Sequence, residues 1–163
     1  MNDAHYHLVI NHFPIIGTIF GVGILIAGLG LKRTLLQNTA FVLFILSALT
    51  GFLAMYTGEG AEEMVENLPT VGHNIIHEHE ELAEKFAALL YALGALSLVT
   101  LILHRLRNRF AKTAAFLALG LALLTVVLGK EVGTSGGEVR HTEIRSVSDG
   151  AQQPQTAEQE QED

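Results

Sequence analysis

Four stretches of the chain run without a single charged side chain: residues 13–31, 39–56, 86–103 and 113–129. Their polar positions are few: Thr18 in the first, Thr39, Ser47 and Thr50 in the second, Ser97 and Thr100 in the third, Thr113 and Thr125 in the fourth. Apolar residues occupy every face in each, not one stripe, which is the pattern of a helix buried on all sides or immersed in lipid. Each stretch is 17 to 19 residues long. At about 1.5 Å rise per residue that predicts helices roughly 26–29 Å long, close to the ~30 Å hydrocarbon core of a bilayer. The expectation is an all-α, polytopic membrane protein: a four-helix transmembrane bundle made of two helical hairpins, 13–56 and 86–129.

Composition supports this. Of 163 residues, 49% are apolar and only 17% charged, with a mean hydropathy of +0.35. Soluble domains carry about 25% charged residues, and too little amphipathic sequence is left here to cover four such helices in water. The first stretch is too long for a removable signal peptide, and residues 1–12 contain no Lys or Arg to open one. The charges that do occur separate by side. Lys32 and Arg33 lie between the first two stretches, and Arg105, Arg107, Arg109 and Lys112 between the last two, with no acidic residue in either loop. The acidic residues cluster in 58–85 and in the tail. The positive-inside rule then predicts both loops in the cytoplasm and both termini outside. A net charge of −7 without a basic patch of nucleic-acid size excludes DNA or RNA as partner. The absence of cysteine excludes disulfides, thiolate metal centres and covalently attached haem.

Small residues four apart predict close helix contacts: Gly17/Gly21 and Gly23/Ala27 on the first span, Ala88/Ala92 on the third, Ala114/Ala118/Ala122 on the fourth. The linker predicts a short helix over 61–67, broken by Pro69, then a new helix from about Gly72. Gly/Glu-rich stretches follow each hairpin. Residues 1–145 form one four-span domain, and 146–163, polar and without apolar periodicity, a disordered acidic tail.

Seven of the eight histidines fall on the predicted outer side: His5, His7, His12, His73, His77, His79 and His141, with His104 at the other end. In a bundle the points where they enter or leave the spans converge on one rim, joined by Glu59 and Glu62. His73 and His77 share a helix face, as do His77 and Glu81, and Glu/His pairs three apart build metal sites in helical bundles. Neutral imidazole is also the usual axial ligand of haem. Pro14 fits a first helical turn and holds His12 at the helix mouth. No His-Glu-x-x-His, Walker loop or Gly-x-Ser-x-Gly occurs, so no hydrolase or nucleotide site is organised.

His7-Leu-Val-Ile-Asn-His12-Phe-Pro-Ile resembles the opening of a family of uncharacterised bacterial four-helix membrane proteins, in which a His, a second His five residues later and Phe-Pro-Ile begin the first span. Tyr56-Thr-Gly-Glu-Gly-Ala-Glu-Glu63, Leu68-Pro, His79-Glu-Glu-Leu-Ala-Glu84 and Gly136-Gly-Glu-Val-Arg-His141-Thr-Glu-Ile-Arg145 extend the likeness over about residues 5–145. The matching positions are His7, His12, Glu59, Glu62, His79 and His141, whereas His5, His73 and His77 lie outside the pattern. Some members are joined to c-type cytochrome domains, so the resemblance implies electron transfer and a place in a bacterial inner (plasma) membrane.

Two expectations follow. One is a site on the periplasmic rim for haem b, held by His12 and His79 with His7 beside them, or for iron, copper or zinc, held by His12, His79 and His141 with Glu59 or Glu62. Such a site would serve electron transfer or metal handling beside a periplasmic cytochrome. The other is a non-catalytic scaffold or subunit of a larger membrane complex, without cofactor. A transporter is disfavoured, because no ionisable residue lies within a span.

Overall fold

A computed structural model of the chain describes residues 2–66 and 71–145. Five α-helices follow one another: α1 (Asp3–Ile10), α2 (His12–Gly30), α3 (Thr34–Val65), α4 (His73–Arg105) and α5 (Ala111–Arg140), closed by a short 3₁₀ turn, Thr142–Ile144. α2 packs on α3, α3 on α4, α4 on α5, and α5 returns to α2, so four long helices form an up-and-down ring. All four helical segments are long and apolar enough to cross a membrane. One end of the ring carries the two short basic turns (the basic end); the other carries most of the histidines (the histidine end).

Burial is inverted relative to a protein folded in water. The interior holds Thr18, Ser47, Ser97, Thr100 and Thr125, each no more than 2% exposed. The exterior shows Phe20 at 64%, Phe52 at 61%, Leu124 at 61% and Val127 at 64%. Large apolar side chains on the outside and hydroxyls inside make sense only where the surrounding solvent is hydrocarbon. Association then cannot rest on apolar burial, and depends on close packing and internal hydrogen bonds. Thr18, Thr100 and Thr125 each donate to the carbonyl four residues earlier, Pro14 (2.6 Å), Leu96 (2.7 Å) and Leu121 (2.9 Å), which satisfies them within their own helices.

Close packing is supplied by glycine and alanine. Gly17 lies against Ser47 and Gly21 against the Phe44 ring. Gly28 lies where a Cβ would stand 2.8 Å from the backbone N of Gln37, and Gly94 where it would stand 2.7 Å from the Ala48 Cβ. Ala114, Ala118 and Ala122 are buried on α5, as their spacing predicts. Two other predicted stripes face outward: Gly23 and Ala27 on α2, Ala88 and Ala92 on α4 are exposed. The contacts use Gly28 on α2 and Ala87, Gly94 and Ser97 on α4 instead. In spans rich in small residues several phases of the pattern exist, and only the neighbouring helix selects one.

Phe41 and Phe44, fully buried with Leu25, Leu93, Ala115, Ala118 and Ala122, fill the half of the ring nearer the basic end. Toward the histidine end the filling stops at Phe86 and Leu90, which line a cavity.

The elements there differ from the sequence expectation. α3 does not stop to restart at 61 but continues through Gly58 and Gly60 to Val65. The stretch after the fourth span is likewise helical through Gly133, Gly136 and Gly137 to Arg140. Glycine lowers helix propensity by about 1 kcal/mol relative to Ala, and packing outweighs it: His7 sits against Gly58, Asp3 against Gly60 and His79 against Gly136. Residues before His12 form α1, which packs on the upper turns of α3. Pro14 has no N–H for the Ile10 carbonyl, and the helix divides at Asn11. α4 starts at His73, with Gly72 as its cap. The break at Pro69 and the tail 146–163 lie outside the described residues.

At the basic end both turns close identically. After α2 the Arg33 N–H bonds to Gly28 O (2.9 Å) and the Lys32 N–H to Leu29 O (3.2 Å); after α4 the Asn108 N–H bonds to Leu103 O (2.9 Å) and the Arg107 N–H to His104 O (3.1 Å). This is the Schellman closure, whose left-handed residue is usually glycine. Here it is Lys32 (φ 53°) and Arg107 (φ 50°), at a cost of roughly 1–2 kcal/mol each for a residue with a Cβ.

The packing makes a direct prediction. Gly94→Val drives a branched side chain into Ala48 and should destabilise the bundle by about 1–3 kcal/mol. Gly23→Ala, where no atom lies within 4 Å of the added Cβ, should leave stability unchanged or slightly raised. Thermal unfolding of both variants in detergent checks the contrast.

Candidate functional site

A cavity of about 260 Å³ opens at the histidine end of the ring. Its floor is apolar: Pro14 and Ile15 of α2, Gly51 and Ala54 of α3, Phe86, Ala87 and Leu90 of α4. Gly133, Gly136 and Gly137 of α5 give it one wall nearly free of side chains. Four histidines line it, from four separate segments: His7 of α1, His12 at the start of α2, His79 of α4 and His141 just after α5.

Each of these rings is held through the same atom. His7 Nδ1 lies 3.0 Å from the Ala54 carbonyl of α3, and His12 Nδ1 3.1 Å from the Leu8 carbonyl. Carbonyls only accept, so both Nδ1 atoms carry the proton and donate. His79 Nδ1 lies 2.9 Å from Ser135 Oγ of α5. Ser135 donates its own proton to Val132 O (3.2 Å), so it accepts from His79. His141 Nδ1 lies 2.9 Å from Glu143 Oε1, again an acceptor. In the neutral ring the lone pair is then on Nε2 in all four cases. That is how proteins prepare imidazoles as ligands: the distal N–H is anchored, and the anchor fixes tautomer and orientation.

His7 and His79 are the two half-buried members; His12 and His141 are exposed. Burial pushes the His7 imidazole below its ordinary pKa, the Ala54 carbonyl bond opposes this, and neighbouring His12 adds to the depression. Burial also lowers His79, and His7 adds to it. Both rings therefore favour the neutral form more than a free imidazole does. Because the unfolded state binds the proton more readily, these two groups make the fold less stable as pH drops through the ordinary histidine range.

His141 is placed by a clasp at the end of α5. Arg145 donates from Nε to Glu138 O (2.7 Å) and from Nη2 to Val139 O (3.1 Å). A cation at the last carbonyls of a helix satisfies them and matches the dipole. The 3₁₀ turn thereby folds back, with Ile144 against Gly137.

The remaining expected residues do not join the cavity. Glu59 is exposed on α3. Glu62 shares a hydrogen bond with Glu80 across the α3–α4 seam. His73 is exposed, and exposed His77 pairs with Glu81 (3.5 Å) and Glu80 (4.0 Å). His104, at the basic end, bonds through Nδ1 to Asn38 Oδ1 (2.6 Å). Among the described residues no three His, Asp or Glu side chains come together as a metal ion would require. The set of His12, His79 and His141 with Glu59 or Glu62 is thus not assembled: Glu59 and Glu62 sit on the upper turns of a continuous α3, off the cavity lining.

Two contributors were not among the expected residues. Ser135 anchors His79 although it lies 56 positions away. Asn11, between two of the histidines, lines the cavity with its Oδ1 buried and without a hydrogen-bond partner. The one available signal for Asn11 was its position between His7 and His12; Ser135 had none.

The inverted burial, the four spans and the histidine end together describe an integral membrane protein, and a family model matches residues 5–144. The chain belongs to the family described as Predicted membrane protein (DUF2231). The match spans the four long helices, most of α1 and all four cavity histidines, so the expectation of an uncharacterised multi-pass membrane family holds. No curated protein and no solved structure matches the chain.

The Glu62–Glu80 pair carries a pH prediction for this family member. The bond to Glu62 raises Glu80 to about 7, with partial burial and the charges of Glu62 and Glu84 acting in the same direction and His77 opposing. The proton is held more tightly folded than unfolded. Its stabilisation is therefore complete below about 4.5, the unfolded value, and is lost as pH rises through about 7. Glu62→Gln should move the Glu80 titration back down toward 4.5, read from the carboxyl infrared band of isotope-labelled glutamate.

Proposed function

We propose that the histidine-lined cavity binds haem b and passes electrons at the periplasmic face of a bacterial inner membrane. The observation that carries this reading is the anchoring of His7 and His79. One is fixed to α3 and the other to α5, helices that stand diagonally across the ring, and both line the space between. A bis-histidine haem takes two imidazoles, whereas no three His, Asp or Glu side chains come together for a metal ion among the described residues. An apolar floor and a glycine wall suit a flat, greasy macrocycle. The family resemblance favours His12 as the partner of His79; burial favours His7, with His12 exposed at the lip.

In this reading the residues have separate tasks. His7 and His79 hold the group through Nε2. Ala54 O and Ser135 Oγ fix the two rings. Phe86, Leu90 and Ile15 exclude water from the floor. Bound haem would supply a one-electron couple, and the exposed histidine end would meet a periplasmic cytochrome or a larger membrane complex.

A visible-range spectrum of detergent-purified protein, expressed with haem precursor and metals supplied, tests this. A Soret band is expected in the parent and in His73→Ala, and should be lost or strongly shifted in His79→Ala and His7→Ala. Gly136→Ala should also perturb it, since the added Cβ would lie 3.0 Å from His79 Cε1. Stoichiometric metal without the band would replace haem by a metal ion; neither signal would leave a scaffold without cofactor. Reporter fusions after Arg33 and after Arg145 should be active on opposite sides, the first in the cytoplasm.

A further inference from the structure

The basic end presents the same anomaly twice. Lys32 and Arg107 occupy the left-handed position of two independent helix closures, where glycine would sit without strain. The helix dipole favours a cation in the last turn, but that is met by any neighbouring residue and does not require the strained position itself. Backbone strain retained in this way points to a use for the side chain.

Charge and exposure indicate the use. Lys32, Arg33, Arg105, Arg107, Arg109 and Lys112 are all exposed. The two turns contain no Asp or Glu, and among the described residues none of the six has an acidic partner. The lysines of the histidine end differ: Lys85 is paired with Glu81 (3.0 Å) and Lys130 with Glu131 (3.3 Å). The unpaired cations alternate with exposed large apolar side chains: Leu31 (65%), Leu35 (77%), Leu106 (70%) and Phe110 (56%). The Arg109 guanidinium lies 4.8 Å over the Phe110 ring. Leucines so exposed are covered by acyl chains, which sets the adjoining cations at the depth of the headgroup phosphates.

We propose that the basic end is a binding surface for anionic phospholipid, with Lys32 and Arg33 from one turn and Arg107 and Arg109 from the other holding headgroup phosphates. The surface is independent of the cavity at the far end and of what that cavity binds.

The test compares thermal unfolding of the full chain in bilayer nanodiscs of phosphatidylcholine alone and of phosphatidylcholine mixed with phosphatidylglycerol. The parent midpoint should rise with phosphatidylglycerol. Lys32→Gly/Arg107→Gly should match or exceed the parent in phosphatidylcholine, because strain is relieved, yet lose most of the phosphatidylglycerol-dependent rise. Arg33→Gln/Arg109→Gln, which leaves the backbone closures intact, should lose it too. Full retention of the rise in both double variants would overturn the proposal. An equal rise on adding inorganic phosphate to phosphatidylcholine discs would also overturn it, reassigning the surface to a free anion.

Discussion

The bundle depends on one constraint: its solvent is hydrocarbon. In water, Phe20, Phe52 and Val127 would drive collapse by being buried; here they face outward, and nothing is gained by hiding them from lipid. Cohesion must come from contact geometry. That is why the helices touch through Gly17, Gly21, Gly28 and Gly94, where backbones approach too closely for a side chain. It is also why the buried threonines close on their own helix carbonyls. The same constraint explains where the cavity lies. Two phenylalanines and an alanine face fill the half nearer the basic end, while the other half is enclosed by helices held together at points of small-residue contact.

Much of this was readable from the chain. Charge-free stretches of membrane-spanning length gave the spans, and the alternation of acidic and basic loops gave the up-and-down order. Helix ends above the membrane were not readable. Gly58, Gly60, Gly133 and Gly136 look like loop residues, and their local preference is outweighed by side chains of neighbouring elements lying on them. The phase of the small-residue stripes is equally ambiguous in sequence: Gly17/Gly21 and Ala114/Ala118/Ala122 face neighbouring helices while Gly23/Ala27 and Ala88/Ala92 face outward, yet all satisfy the same spacing.

The histidine end divides in the same way. Convergence of His7, His12, His79 and His141 on one cavity follows from topology, since all four flank spans on one side. The exclusion of Glu59 and Glu62 does not, because it depends on α3 remaining helical and turning those carboxyls away from the lining. Nor does the anchoring of the four rings, which involves two main-chain carbonyls, a distant serine and a local glutamate. Pairings of that kind belong to three-dimensional placement and leave no periodic trace in sequence.

The cavity draws on positions as distant as His7 and His141. During synthesis, α1 emerges first and the Arg145 clasp more than a hundred residues later. No partially translated chain can therefore present a finished pocket, and a bundle missing its last helix would offer its early imidazoles only one-sided support. Completion of the pocket thus coincides with the insertion of α5 and the docking of the turn behind it, the last of the described elements to be made.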